Sequence, residues 1–221
     1  MLKLIIGNRA YSSWSMRGWL ACRQSGEQFE EYLVPMFDAE WERHRKGNEF
    51  APSMGKVPIL WDGECVVWDS LAIIDFLADR AGRDRFWPGE EAARGMARSM
   101  SAEMHSSFSA LRRDLPMNVR KTYPPVELSD AVHAEIDRIL QLWAQARARF
   151  GGTGDFLFGD WCAADIMFAP VVTRFITYGV KMPPFAAQYM KAVLSHPDVH
   201  DWIDQAQDEP WVIEQYENEA A

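Results

Sequence analysis

Two short apolar segments joined by an Asp-Gly turn occupy the stretch Val57-Pro58-Ile59-Leu60-Trp61-Asp62-Gly63-Glu64-Cys65-Val66-Val67-Trp68-Asp69-Ser70. An Asp-Gly pair between apolar runs is typical of a β-hairpin, so this stretch predicts two antiparallel strands. The apolar residues that follow recur at helical spacing: Leu71, Ile73, Ile74, Leu77 and Ala78. With Asp69 and Ser70 before them and Gly82 after them, these residues predict a capped helix.

On the N-terminal side of this hairpin, apolar strands alternate with helical patterns. Residues 2–6 and 29–34 predict strands, residues 15–24 predict a helix, and a polar, charged segment follows at 40–48. The order of elements up to residue 81 is therefore β-α-β-α-β-β-α. We expect residues 1–81 to form one α/β domain.

On the C-terminal side, residues 82–89 are rich in Gly, Arg, Asp and Pro, and they predict a linker. Five helical patterns follow, over residues 91–115, 129–150, 163–178, 185–195 and 197–207. Residues 90–221 therefore predict a second domain that is all-α. The polar end, residues 214–221, is expected to fray.

Composition and charge exclude several classes of function. The chain of 221 residues is 48% hydrophobic, which is enough to fill a substantial core, and no apolar run approaches the roughly 20 residues that cross a bilayer. The 23 Lys and Arg residues against 32 Asp and Glu give a net charge of -9, which disfavours nucleic acid and anionic membranes as partners. Three widely spaced cysteines and no export signal predict a cytoplasmic protein without disulfides.

Three serines lie between the first predicted strand and the first predicted helix: Ser12, Ser13 and Ser15. Backbone N–H groups at a helix N-terminus lack intrahelical partners and carry the positive end of the helix dipole, so a thiolate or a phosphate is stabilised there without a metal. Each of these serines could also serve only as the helix cap, which is the usual role of serine before an apolar run. The pattern therefore predicts either an anion site or a cap.

The order of elements, together with Val57-Pro58 in the hairpin and Asp69-Ser70 at the third helix, resembles the soluble glutathione transferases over nearly the whole chain. The stretch Ser12-Ser13-Trp14-Ser15-Met16-Arg17 is similar to the Ser-Ser-Cys-Ser-x-Arg signature of the zeta class, which includes the maleylacetoacetate isomerases. Trp14 stands where that class has cysteine. The resemblance implies a thioredoxin-like N-terminal domain that binds glutathione and a helical C-terminal domain that binds an electrophile.

The resemblance also implies roles for the hydroxyl groups. In the family, a hydroxyl at this junction donates a hydrogen bond to the glutathione sulfur, and Ser12 holds the matching position, so Ser12 is the expected catalytic residue. Ser13 is a second catalytic candidate and Ser15 is expected to bind glutathione, although their closeness in sequence leaves the assignment among the three open. Tyr11 is a further hydroxyl nearby. Such a serine acts as a hydrogen-bond donor and need not be a nucleophile, and the lack of a Gly-x-Ser-x-Gly turn gives no support for a hydrolytic triad.

Four more residues are expected to bind glutathione on the strength of the resemblance: Val57, Pro58, Asp69 and Ser70. The Val57-Pro58 bond would be cis, and the Val57 backbone would pair with the cysteinyl backbone of glutathione. Ser70 would meet the γ-glutamyl carboxylate, and Asp69 would face the ammonium group. Without the family, Pro58 is interpreted as an ordinary trans proline, and Asp69 or Ser70 as a helix cap.

Further motifs lie in the helical part. Residues 158–165 resemble the capping box and buried helix of the family, with Cys162 in the place of a Ser or Thr cap. One set at helical spacing predicts either core or a wall of the electrophile site: Met104, His105, Phe108 and Leu111. A basic set predicts either a solvated face or a surface that steers an anionic electrophile: Arg112, Arg113, Arg120 and Lys121.

The sequence therefore predicts a glutathione transferase that activates the thiol of glutathione for attack on an electrophilic small molecule. The resemblance implies a homodimer and a role in detoxification. Two alternatives stay open: a glutathione-dependent cis-trans isomerase of the maleylacetoacetate type, and a non-catalytic glutathione-binding protein. A disulfide reductase is disfavoured because no Cys-x-x-Cys occurs and Cys22 lies too far along the first helix. No metal site is predicted, since His196 and His200 lack the acid of a His-Glu-x-x-His motif.

Overall fold

Four strands form one sheet in the computed structural model, which describes residues 1–217. The strands are β1 (Leu2–Ile6), β2 (Phe29–Leu33), β3 (Ile59–Asp62) and β4 (Cys65–Trp68). Their order across the sheet is β2-β1-β3-β4, with β1 parallel to β2 and antiparallel to β3, and with β3 antiparallel to β4. The predicted hairpin is therefore confirmed as β3 and β4.

Three helices cover this sheet: α1 (Ser13–Ser25), α2 (Ala39–His44) and α3 (Ser70–Ala81). Successive side chains of a strand point to opposite faces, so Leu4 and Ile6 join the core beneath α1 and α3. Ile5 and Ile59 point the other way and pack with Trp41 of α2. The order β-α-β-α-β-β-α and the thioredoxin-like α/β architecture that the sequence predicts are confirmed.

The rest of the described chain is helical, as predicted. Its helices are α4 (Arg83–Phe86), α5 (Glu91–Ser106), α6 (Ser109–Asp114), α7 (Asp130–Phe150), α8 (Ala163–Thr177), α9 (Pro184–Ser195) and α10 (Pro197–Gln207). Trp143 of α7 packs edge-on against Phe168 and Phe175 of α8 and Tyr189 of α9, with ring centroids 4.7–5.9 Å apart. Within residues 1–217, no helix combines the length and the apolar character that a membrane span requires.

The prediction of one continuous helix over 91–115 is wrong. The chain leaves the helix at Ser107, and Phe108 adopts a φ of 63°, so α5 and α6 are separate helices. The Glu135 carboxylate of α7 then accepts hydrogen bonds from the N–H groups of Ala110 and Leu111 at the start of α6. This cap comes from a distant residue, and a local helical pattern cannot reveal it.

The structure adds detail to the predicted linker and to the C-terminal end. The predicted linker at 82–89 contains α4, whose Phe86 is fully buried. Of the end that is expected to fray, Glu214–Tyr216 form a 3-10 helix, while residues 218–221 lie outside the described residues. One hydrophobic core includes residues of both predicted domains, such as Leu4 and Trp143. The boundaries 1–81, 82–89 and 90–221 stay a prediction.

Candidate functional site

A cavity of about 940 Å³ lies at the N-terminus of α1, bordered by residues that precede β3 and α3 and by residues of α5, α6 and α8. Six of the seven predicted site residues line this cavity: Ser12, Ser13, Val57, Pro58, Asp69 and Ser70. The fold thus brings together residues from three separate turns of the first 81 positions. Ser15 is not among the residues that line the cavity.

Ser12 caps α1. Its hydroxyl accepts a hydrogen bond from the N–H of Ser15 at 3.2 Å, and its Oγ lies 2.8 Å from the Oγ of Ser15. Ser15 Oγ in turn accepts from the N–H of Gly7 and has no exposed surface. Ser12 is therefore both a helix cap and part of the cavity wall, whereas Ser15 supports Ser12 from behind and does not reach the cavity.

Ser13 occupies the first position of α1 and is held by a cation. Its Oγ accepts a hydrogen bond from Nη2 of Arg174, at 3.2 Å. Arg174 also donates to the carbonyl groups of Leu115 and Pro170 and is 4% exposed. Burial, and then the nearby charge of Arg112, lowers the pKa of Arg174 to about 9. The hydroxyl proton of Ser13 is left for a group inside the cavity.

Trp14 packs between two guanidinium groups. Arg17 lies 4.9 Å from the centroid of its ring, Arg112 lies 4.6 Å from it, and His105 meets it edge-on at 5.3 Å. An indole face attracts cations electrostatically, so Trp14 holds two like charges close together. Through these contacts Trp14 joins α1 to α5 and α6.

Tyr11 lines the cavity, but its hydroxyl is already paired on both sides. It donates to the carboxylate of Glu217 and accepts from Nη2 of Arg120 at 2.6 Å. Burial and the Glu217 hydrogen bond raise the pKa of Tyr11. The Tyr11 hydroxyl is thus committed to the C-terminal segment, which leaves Ser12 and Ser13 as the hydroxyls near the start of α1 that can serve a ligand.

Pro58 fixes the wall that faces α1. The Val57-Pro58 peptide bond is cis, as the resemblance implies, and the proline is buried against Gly18 of α1. A Cβ atom on Gly18 would lie 2.8 Å from Cγ of Pro58, which is closer than real contacts allow. The lack of a side chain at Gly18 therefore lets α1 approach the loop that carries Val57.

Asp69 and Ser70 begin α3 at the cavity edge. Asp69 has a φ of 77°, its Oδ1 accepts from the N–H groups of Leu71 and Ala72, and its Oδ2 lies 3.2 Å from Nε2 of His105. Asp69 therefore caps α3. Ser70 is 1% exposed, and its Oγ has no hydrogen-bond partner among the described residues. A buried hydroxyl that lines a cavity without a partner can accept or donate one bond to a ligand.

The two sets of residues that the sequence left open divide between core and cavity. Met104, Phe108 and Leu111 are buried in the main core, and of their set only His105 lines the cavity. Of the basic set, Arg112 lines the cavity. Arg113 is exposed beside Asp114, while Arg120 donates to the carbonyl groups of Glu209 and Trp211.

Arg174 was missed by sequence reasoning. It comes from the middle of a helix that is buried nearly throughout, and the sequence pattern of α8 predicts core and not a cavity wall. The one available signal is a charged residue within an apolar helix, because a charge is rarely buried without a task or a partner.

Two further titratable residues, Cys22 of α1 and Asp165 of α8, have structural roles. Burial raises the pKa of the Cys22 thiol, which has no exposed surface, so this cysteine is unsuited to redox chemistry. The predicted capping box is present at α8, where the Asp165 carboxylate accepts from the N–H groups of Leu157 and Cys162.

Comparisons with known proteins agree with this architecture. Residues 11–80 match the family model described as "Glutathione S-transferase, N-terminal domain". Glutathione S-transferase GstB of Escherichia coli K12 is 25% identical over 160 residues, which are 72% of each chain.

Solved structures share the fold. A glutathione transferase homologue from Burkholderia gl BGR1, with bound glutathione, superposes with a TM-score of 0.71 at 21% identity and covers 94% of this chain and 99% of its own. The tau class glutathione S-transferase MiGSTU from mango, Mangifera indica, gives 0.66 at 17% identity, over 93% of this chain and 94% of its own. Residues 11–80 of this chain are thus similar to the N-terminal domain of glutathione S-transferases, and the solved structures show that the fold is shared.

Proposed function

We propose that this chain is a glutathione transferase that binds glutathione in the 940 Å³ cavity and activates its thiol as a thiolate. The observation that carries the proposal is the pair of hydroxyls, Ser12 and Ser13, on the cavity wall at the N-terminus of α1. The family match of residues 11–80 and the glutathione bound in the Burkholderia homologue support glutathione as the ligand.

The γ-glutamyl end of the tripeptide and its cysteinyl residue have suitable partners in this cavity. The unpaired Ser70 hydroxyl would receive the α-carboxylate of the γ-glutamyl group, and Asp69 would face its ammonium group. The backbone of Val57 would pair with the cysteinyl residue. Since Asp69 already caps α3 and lies beside His105, its bond to the ammonium would be shared with these neighbours.

The thiol would then lie at the first turn of α1, where thiolate formation is favoured. Each unit by which a thiol pKa falls below about 8.5 requires about 1.4 kcal/mol in favour of the thiolate. A hydrogen bond to a charged group supplies roughly 1.5–3 kcal/mol, and a helix N-terminus adds about 0.3–1 kcal/mol. Together they lower the pKa by about one to three units, which makes the thiolate common at neutral pH.

Ser12 can give its proton to the sulfur without losing its role as the cap. The hydroxyl hydrogens of Ser12 and Ser15 rotate freely, so Ser15 can donate across their 2.8 Å contact. Ser12 then accepts from both the N–H and the hydroxyl of Ser15 and directs its own proton into the cavity. Ser13, which accepts from Arg174, would be the second donor.

The reaction would be nucleophilic substitution or addition by the thiolate. The thiol proton passes to solvent, the sulfur electron pair forms a bond to the electrophilic carbon, and in a substitution the leaving group departs with its bonding pair. No oxidant or reductant takes part.

We further propose that the protein acts as a homodimer, which sedimentation velocity can test.

The two alternatives predict different results. An isomerase of the maleylacetoacetate type would convert maleylacetone, and a non-catalytic binding protein would bind glutathione without reacting with any electrophile. The position at which the zeta signature has a cysteine is occupied here by Trp14, which packs between arginines. This observation favours the transferase over the isomerase.

A titration of bound glutathione tests the proposal. The ultraviolet absorbance of the thiolate, followed against pH, gives the pKa of the bound thiol. We expect the variant Ser12→Ala to raise that pKa by about one to two units, because a bond of roughly 1.5–3 kcal/mol to the thiolate is lost. Ser13→Ala should raise it less. Ser99→Ala, a change at an exposed serine of α5, is the control and should leave it unchanged.

The titration also separates the roles of the serines. An unchanged pKa in both Ser12→Ala and Ser13→Ala would contradict thiol activation by this helix turn. If glutathione does not bind to the unaltered protein, the transferase proposal is wrong as a whole. Isothermal titration calorimetry measures that binding directly.

A further inference from the structure

Three arginines form a cluster that we call the arginine wall: Arg112 of α6 and Arg174 of α8 line the cavity, and Arg17 of α1 lies next to Trp14 without lining it. The charges of Arg112 and Arg174 both act on Arg17, and the charge of Arg112 acts on Arg174. Their hydrogen bonds go to backbone carbonyl groups and to one serine hydroxyl. In the part of the chain that the structure describes, none of the three has a carboxylate at ion-pair distance.

Part of this wall lacks hydrogen-bond partners. Nη1 and Nη2 of Arg17 and Nη1 of Arg112 are buried and have no acceptor within residues 1–217. A buried cation without an anion is costly, and removing the charge from water is repaid only by a paired negative group. Within the described residues, the arginine wall therefore lacks the anion that would complete an ion pair.

The nearest carboxylates are already engaged. Asp69 acts on Arg17 from a distance, but it caps α3 and lies beside His105. Glu135 acts on Arg112, but its two oxygens accept the N–H groups that begin α6. Neither acid is free to move to the arginines, so an anion that pairs with them would have to come from the cavity.

The position of Trp14 separates the arginines that face the cavity from the one that does not. Trp14, Arg112 and Arg174 line the cavity, while Arg17 lies behind the indole with no exposed surface. Pro116 and Met117 border the same cavity and add apolar surface beside the charges. A flat apolar body with a negative group attached to it matches a wall that combines an indole, apolar side chains and guanidinium groups.

We propose that this wall binds a carboxylate on the electrophile, so that the protein acts on electrophiles that carry a negative charge. Arg112 and Arg174 contact the carboxylate, and Arg17 adds its field from behind Trp14. The inference rests on the proposed transferase function and narrows its substrate class. The Arg174–Ser13 hydrogen bond joins this wall to the turn that would hold the sulfur, which keeps the carboxylate and the reacting carbon near each other.

A pair of electrophiles that differ only by a carboxylate tests the proposal: 4-chloro-3,5-dinitrobenzoate and 1-chloro-2,6-dinitrobenzene. In both, the glutathione thiolate forms a C–S bond at the carbon that bears chlorine, the C–Cl bond breaks, and chloride leaves with the bonding pair. The thiol proton passes to solvent. For each compound, kcat/KM is divided by the rate constant of the uncatalysed reaction, which removes the difference in intrinsic reactivity.

We expect the unaltered protein to prefer the benzoate by about tenfold or more, because a charge-assisted hydrogen bond supplies that factor. Arg112→Gln should abolish most of the preference, and Arg112→Lys, which keeps the charge, should retain part of it. The matched control is Arg113→Gln. Arg113 neighbours Arg112 on α6, but its side chain is 70% exposed, so this change should leave the preference unchanged.

Three outcomes would overturn the proposal: equal rates for both compounds in the unaltered protein, an equal loss for both compounds in Arg112→Gln, and weaker glutathione binding by Arg112→Gln without any electrophile. The last would mean that the arginines serve glutathione itself. If neither compound reacts, the transferase proposal fails separately, and calorimetry decides on the wall. Weaker benzoate binding by Arg112→Gln then supports the carboxylate site, and equal binding rejects it.

Discussion

At the starts of α1 and α8, a side chain accepts hydrogen bonds from backbone N–H groups, but α1 begins beside an open cavity and α8 begins in the protein interior. At α1, the hydroxyl of Ser12 accepts the N–H of Ser15 beside an open cavity. At α8, the carboxylate of Asp165 accepts the N–H of Cys162, and it has no exposed surface. Both side chains satisfy N–H groups that a helix cannot pair internally. Only the α1 cap has a face left over for a ligand.

The contrast distinguishes a cap that only stabilises its helix from a cap that can also bind a ligand. A carboxylate buried at a helix start is fully used by its own chain, because each oxygen already accepts an N–H group. A serine hydroxyl both accepts and donates, so it can cap the helix and still offer its proton. Changes at the two sites should therefore differ in kind. A substitution of Asp165 should alter stability alone. A substitution of Ser12 should alter stability less but should also alter the binding and activation of a ligand.

The largest effect is expected for Asp165→Ala. The substitution leaves the N–H groups of Leu157 and Cys162 without acceptors in the protein interior, and each such loss costs about 1–3 kcal/mol. Urea denaturation should show the free energy of unfolding lowered by about 2–4 kcal/mol. Asp137→Ala on the exposed face of α7 is the control and should change it by less than about 0.5 kcal/mol. Similar values for the two variants would contradict the role of the buried cap.

The second effect is a pH dependence that only the α8 cap should show. Burial, which outweighs the hydrogen bonds from Leu157 and Cys162, raises the pKa of Asp165 from 3.8 to about 6. Between these two values the folded protein binds a proton that the unfolded chain has lost. The stability that this proton supplies is thus present below pH 3.8 and is lost as the pH rises through about 6.

Asp165→Asn provides the reference for that measurement, since an amide does not titrate. We expect the free energy of unfolding of the unaltered protein, minus that of Asp165→Asn, to fall by about 2–3 kcal/mol as the pH is raised through this range and then to level off. Urea denaturation at a series of pH values gives this difference directly. A difference that is constant with pH, or one that grows, would contradict the raised pKa.

Much of this contrast could be predicted from local sequence. The serines before an apolar run, the Asp-Gly hairpin and the acid three positions after Cys162 each predict an arrangement that forms within a few residues. The structure forms Ser12 as a cap, the hairpin β3–β4 and the Asp165 box at these positions. Short-range patterns suffice here because both partners of each hydrogen bond lie in the same segment.

The arginine wall could not be predicted in this way. Arg17, Arg112 and Arg174 lie on three helices far apart in sequence. The basic set around Arg112 predicts, as one alternative, a surface for an anionic electrophile, but no local pattern joins the three arginines. Their meeting depends on how α1 packs against α8 and on the break at Phe108, after which the distant Glu135 caps α6. The surroundings of Ser15 also depend on tertiary contacts, since its hydroxyl accepts from the N–H of Gly7 and does not line the cavity.

The smallest expected change in stability, and the sharpest comparison, comes from two serine caps. Ser12→Ala and Ser129→Ala each remove an N-cap hydroxyl, from α1 and α7 respectively, and each should lower the free energy of unfolding by about 1 kcal/mol. Only Ser12 borders the cavity, so only Ser12→Ala should also slow glutathione conjugation, by about tenfold. Urea denaturation and initial rates on both variants measure the two effects. Equal rates would reduce Ser12 to a cap, and an equal loss of rate in Ser129→Ala would attribute the effect to helix stability. A selective loss at Ser12 would show that an open cap does what the buried cap of α8 cannot.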